Sequence, residues 1–223
     1  MKKKNNIAES ISQKQMLLIT GIIGFAFPII LIIGSAIASE CDVILPAIST
    51  YYHSVMGDVF VSLASMLAFC LFVYRGYDGL DKVLTSTASL ALLGVAFFPT
   101  WISNPSEINC QLLTNSRTVL IGNIHYACAG LFFLLLAYIC LFEFTKGNKP
   151  YTKNKIKRNR IYKISGILII SSIVAILVYS KLSSNKTPVK DSTFIFWTEV
   201  VVLWAFSLSW LIKGELILQD EES

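Results

Sequence analysis

The chain of 223 residues has only two histidines, His53 and His125, and each falls at the edge of a strongly apolar run. Asp58 follows His53 by about one helical turn, and Glu199 interrupts a third apolar run that opens at Phe194. Ionisable groups inside such runs cost about 2.5–3.5 kcal/mol each at the centre of a membrane helix, so they turn toward protein or water. Three roles fit the set. Two imidazoles and a carboxylate make a zinc site with one open position, in which a remaining acid activates water; His53, Asp58, His125 and Glu199 are the candidate ligands. Asp58, His125 and Glu199 could instead relay a proton. Or the groups only fasten helices together, at under ~1 kcal/mol per bond. Neither His-Glu-x-x-His nor Cys-x-x-Cys occurs.

The elements that must position these residues follow from composition. Hydrophobic residues make up 54% of the chain and charged ones 15%, against roughly 45–50% and 25% in a soluble domain. That excludes an ordinary soluble fold and disorder, and five cysteines are too few for a disulfide scaffold. Six apolar windows approach the ~20 residues that cross a hydrocarbon core: 16–38, 55–74, 83–101, 119–142, 164–180 and 194–212. None alternates as a barrel strand would. The expected fold is an all-α bundle of six transmembrane helices forming one domain, residues 1–223.

Basic residues orient it. Fifteen of the 19 Lys and Arg residues fall on the side that also holds both termini, which the positive-inside rule places in the cytoplasm of an inner (plasma) membrane protein. The densest run, Lys153 to Lys163, reads as a connecting loop that attracts anionic lipid at about 1 kcal/mol per basic residue. The net charge of +5 is therefore assigned to a membrane surface, and no nucleic-acid module is present. Three lysines ahead of the first apolar run resemble a signal peptide, but the run exceeds the usual 7–15 residues, so this helix is expected to stay.

With that orientation, His53, Asp58, His125 and Glu199 all enter from outside in helices of one direction, the last two about 6–9 Å deep at 1.5 Å per residue. Asp58, Ser62 and Ser65 share a helical face, as do Thr118, Gly122, His125 and Ala129. Asp58, His125 and Glu199 are therefore expected to converge on a polar pocket in the outer half. Cys41 and Cys110 fall in outer loops, where an oxidising compartment would pair them, closing a loop worth roughly 4 kcal/mol on the chain-entropy model. Cys70, Cys128 and Cys140 fall inside spans, as small apolar side chains. The turn Tyr74-Arg75-Gly76-Tyr77-Asp78-Gly79-Leu80-Asp81 reads as a glycine-assisted reversal.

From Ser49 onward the chain resembles a family of bacterial six-span membrane proteins. The likeness is carried by Ser49-Thr50-Tyr51-Tyr52-His53 with Val59-Phe60-Val61, by "YRGYDGLD", "LGVAFFPT", "IHYACAGLFF" and "RNRIY", and by "FWTE…SWLIKGE". Distantly it is similar to the DRAM/FGF-receptor-activating-protein family, and that resemblance implies a role in membrane-lipid organisation. Ser49-x-x-x-His53 also resembles the start of the zinc motif of the alkaline ceramidase/adiponectin-receptor superfamily, whose closing His-x-x-x-His in a seventh helix has no counterpart here. The expectation is a non-enzymatic lipid-interacting or scaffold protein with no required cofactor. A zinc-dependent lipid amidase or esterase and a proton-coupled transporter are the alternatives.

Overall fold

The computed structural model describes residues 2–38, 44–74, 76, 78–102, 118–147, 150–183 and 192–218, with side chains from residue 13 onward. Within them the chain is helical, without a strand: α1 (Lys2–Ala38), α2 (Gly57–Val73), α3 (Gly79–Phe97), α4 (Val119–Tyr138), α5 (Lys153–Ser183) and α6 (Phe194–Lys213). A 3-10 turn, Ile48–His53, precedes α2, and a π-helical turn, Ile139–Glu143, continues α4.

Local chemistry sets the boundaries. Asp78 caps α3, its Oδ1 accepting the Leu80 and Asp81 amides at 3.0 Å each, as short acidic side chains do at helix starts. The helix stops at Phe97 because Pro99 drives the preceding Phe98 extended, at φ −101° and ψ 110°. The expected span 83–101 is thus shifted about four residues toward the N-terminus. Thr152 caps α5 by accepting the Lys155 amide at 3.0 Å, and no glycine or proline follows until Gly166. The basic segment 153–163, expected as a loop, therefore forms the first turns of a 31-residue helix. Lysine, arginine and isoleucine tolerate a helix well once its first turn is capped.

The helices form a closed ring in chain order: each packs on its sequence neighbours and α6 returns to α1. Neighbours are antiparallel, since partner numbers fall on one helix as they rise on the next. Phe27 meets Phe60 at 5.6 Å and Gly34 faces Met56. Phe144 meets Tyr162 at 5.4 Å while Leu141 sits on Gly166. On the closing seam Phe25 stacks on Trp204 at 5.0 Å and a Cβ at Gly24 would lie 2.5 Å from the Ser207 hydroxyl, the close approach that small residues permit between membrane helices. Lys14 pairs with Glu215 where α1 and α6 meet at the basic end.

The ring is apolar outside as well as inside. Phe69 is 61% exposed, Leu90 65% and Leu177 59%, a surface far beyond the apolar patches of soluble monomers and suited to lipid. Five helices are long and apolar enough to cross a membrane, and α2 is a shorter apolar helix. Its 17 residues reach about 26 Å at 1.5 Å per residue. Cys70 and Cys140 are buried free thiols and Cys128 a half-buried one; Cys41 and Cys110 lie outside the described residues.

Candidate functional site

Where α3 stops, the chain leaves it extended from Phe98, and both histidines bind carbonyls of this exit. His125, on α4, brings Nδ1 to 2.7 Å from the Phe98 carbonyl oxygen. His53, closing the 3-10 turn, places Nε2 at 2.9 Å from the Thr100 carbonyl and 3.3 Å from its hydroxyl. A carbonyl only accepts, so this network assigns the proton of His125 to Nδ1 and that of His53 to Nε2. Both rings are fully buried. Gly122 admits the contact, because a Cβ there would lie 2.6 Å from Trp101 Cβ and 2.9 Å from its amide nitrogen.

Glu199 does a related task on α6. Its Oε2 accepts the Ile48 amide at 2.6 Å, and the Ser49 amide is a second donor. These are the first amides of the 3-10 turn, so a side chain 151 residues away supplies the cap that Ala47 lacks. The neighbouring Phe196 amide donates to the Pro46 carbonyl at 2.9 Å, and Tyr51 packs on the Phe196 ring at 6.1 Å. Residues 44–56 form a strap fastened across the end of the bundle.

Beneath the strap lies a cavity of about 50 Å³, room for about three waters at ~15 Å³ each. His125 and Glu199 both line it, with Phe27, Phe60, Phe132 and Leu203 among its apolar walls. Asp58 does not take the expected inward position. It is exposed in the first turn of α2, because Phe60 and Ala64 face the cavity and two residues of helix rotate the side chain by about 200°. There its charge favours the α2 N-terminus. His53, Asp58, His125 and Glu199 also do not gather as ligands. Among the described residues, the one group of three or more potential metal ligands within 4.8 Å of each other is Asp78, Asp81 and Glu143.

That acidic group lies at the opposite, basic end. The Lys146 ammonium bridges it, 3.0 Å from Asp78 and in a short contact with Glu143. The Asp81 amide and Lys146 hold the Asp78 carboxyl below the usual carboxylate range, and Glu143 with Asp78 pushes the Lys146 ammonium well above the ordinary lysine value. A lysine already supplies the cation here.

Two further concavities flank α5 at this end. Tyr151, Ile156, Asn159, Arg160, Lys163, Ile164 and Ile167 line an outward groove of about 400 Å³, in which the Asn159 Oδ1 is buried without a hydrogen-bond partner. Lys155, Arg158 and Tyr162 line an inward cavity of about 280 Å³. Sequence reasoning that treated 153–163 as a loop missed this division. The signal was present: 155, 158 and 162 share one helical face, and 156, 160, 163, 164 and 167 share another. Comparison with protein-family models, curated proteins and solved structures finds no match to the chain, so these two ends carry the functional argument.

Proposed function

We propose that the protein is a six-span inner-membrane protein with both termini in the cytoplasm, acting as a non-enzymatic, lipid-interacting component that holds anionic phospholipid at α5. The observation that carries this reading is the outward groove. Its cations, Arg160 and Lys163, stand beside Ile164 and Ile167 one turn deeper, the same order as the phosphate and acyl chain of a phospholipid. The buried Asn159 amide adds a polar group at headgroup level, and apolar α5 side chains continue the path, with Val174 and Leu177 exposed. The resemblance to proteins of membrane-lipid organisation points the same way. Six spans require α2 to cross; Val55, Met56 and Tyr74 extend its apolar stretch at both ends.

Two experiments test the reading. Two basic residues at about 1 kcal/mol each predict that an Arg160→Gln/Lys163→Gln variant loses about 30-fold in affinity for phosphatidylglycerol in native mass spectrometry. Equal retention by variant and wild type, or equal binding of phosphatidylcholine, would reject the groove. For orientation, the excess of basic residues at one end predicts that single cysteines placed at Asn154 and Asn185 label from opposite sides of the membrane. Labelling from the same side rejects the six-span arrangement.

A further inference from the structure

The inward cavity at the basic end is a different surface from the groove and is built by three segments. The turn after α4 contributes Lys146 and Tyr151, the start of α5 contributes Lys155 and Arg158, and the end of α6 contributes Lys213. Among the described residues, four basic side chains line about 280 Å³ together with Glu215. Lys146 already bridges Asp78 and Glu143, and Glu215 pairs with Lys14, so Lys155, Arg158 and Lys213 are the cationic wall. Exposed Gly147, Pro150 and Thr152 form its rim and open it toward solvent.

The cations are positioned side chains. Lys155 donates to the Phe144 carbonyl at 3.0 Å and lies 6.0 Å from the Tyr162 ring centre. Arg158 is buried and donates from Nη1 to the Leu218 carbonyl at 2.6 Å. Lys213 sits 5.2 Å over the Phe144 ring, within the fields of Lys155 and Arg158 as well as those of Asp81 and Glu215. Like charges on one wall repel more strongly where water is scarce, and an anion between them converts that repulsion into attraction. Thr152 already caps the first turn of α5, so the cationic side chains, rather than the helix terminus, define the ligand.

We propose that this cavity binds a phosphate group, carried by a lipid headgroup at the membrane surface or by a small soluble phosphoester. Several cations with one guanidinium fork match a doubly charged group with three acceptor oxygens, whereas a single carboxylate would answer one of them. The volume lies just below the ~300–1,000 Å³ of drug-sized sites, which limits the ligand to a compact one.

Thermal unfolding of the full chain in neutral detergent tests this, at constant ionic strength, with inorganic phosphate against chloride. A parallel series, in an Arg160→Gln/Lys163→Gln background that disables the outer groove, uses nanodiscs of phosphatidylcholine with and without phosphatidic acid. At ten times the dissociation constant the bound probe should raise the midpoint by about 3–6 °C. Lys155→Gln should abolish that rise, Lys155→Arg should restore most of it, and Lys157→Gln, exposed on α5 and lining neither the cavity nor the groove, should leave it unchanged. A rise with inorganic phosphate identifies a site open to soluble phosphoesters, and a rise confined to phosphatidic acid identifies a headgroup site. No rise in either series, or a rise that Lys155→Gln leaves intact, overturns the proposal. Because the phosphatidic acid series runs with the groove disabled, failure of this site and failure of the groove are distinguishable.

Discussion

Glu199→Ala is expected to lower the midpoint of thermal unfolding by about 3–12 °C and to release the strap 44–56 from the end of the bundle. The carboxylate accepts the Ile48 and Ser49 amides at the head of the 3-10 turn, and Ala47 gives that turn no side-chain cap. A hydrogen bond to a charged group contributes about 1.5–3 kcal/mol, and each kcal/mol moves the midpoint by roughly 2–4 °C in a chain of this size. Glu199→Gln keeps one carbonyl acceptor in the same place and should lose less than half as much. Hydrogen exchange gives the local readout: the Ile48 and Ser49 amides should exchange faster in Glu199→Ala, while amides in the middle of α3 change little. Unaltered exchange at Ile48 and Ser49 would show that Glu199 does not fasten the strap.

The histidines should show opposite preferences for their amide replacements. His125 donates from Nδ1 to Phe98, and an asparagine at that position carries its amide nitrogen close to where Nδ1 lies. His53 donates from Nε2 to Thr100, and a glutamine reaches the Nε2 position. His125→Asn and His53→Gln are therefore expected to retain at least half of the wild-type stabilisation, whereas His125→Gln and His53→Asn should resemble alanine. Either alanine variant leaves a carbonyl at the α3 exit without its donor and opens space in a buried site, about 2–4 kcal/mol in all. Both rings serve one exit from one helix, so the double alanine variant should depart from additivity. Equal losses for asparagine and glutamine at both positions would show that ring volume, rather than the donated proton, is what matters.

Much of the frame was legible in the chain. Long apolar runs state helix number and type because run length and period are local properties. Pro99 and Asp78 mark the two ends of α3 by backbone chemistry that needs no distant partner. The basic segment 153–163 was harder, since a run of charges reads equally as a solvated loop and as one end of a helix that emerges from the membrane. The cap at Thr152 and the absence of glycine and proline before Gly166 separate the two readings, and both are visible in the sequence once weighed together.

The candidate sites depended on tertiary structure to a greater degree. The sequence by itself determined that His53, His125 and Glu199 sit in apolar surroundings and need polar partners, because an ionisable group in such a run is costly wherever the helix turns. Which partners they take depends on helix rotation and on where neighbouring segments stop. The histidines bind the carbonyls left exposed where α3 ends, Glu199 reaches the amides of a turn 151 residues away, and a rotation of two residues leaves Asp58 exposed while Phe60 is buried. The packing of α6 on α5 likewise brings Lys213 beside Lys155 and Arg158. A pairing across so many residues is set by which faces pack together, and sequence period constrains each face without naming its neighbour.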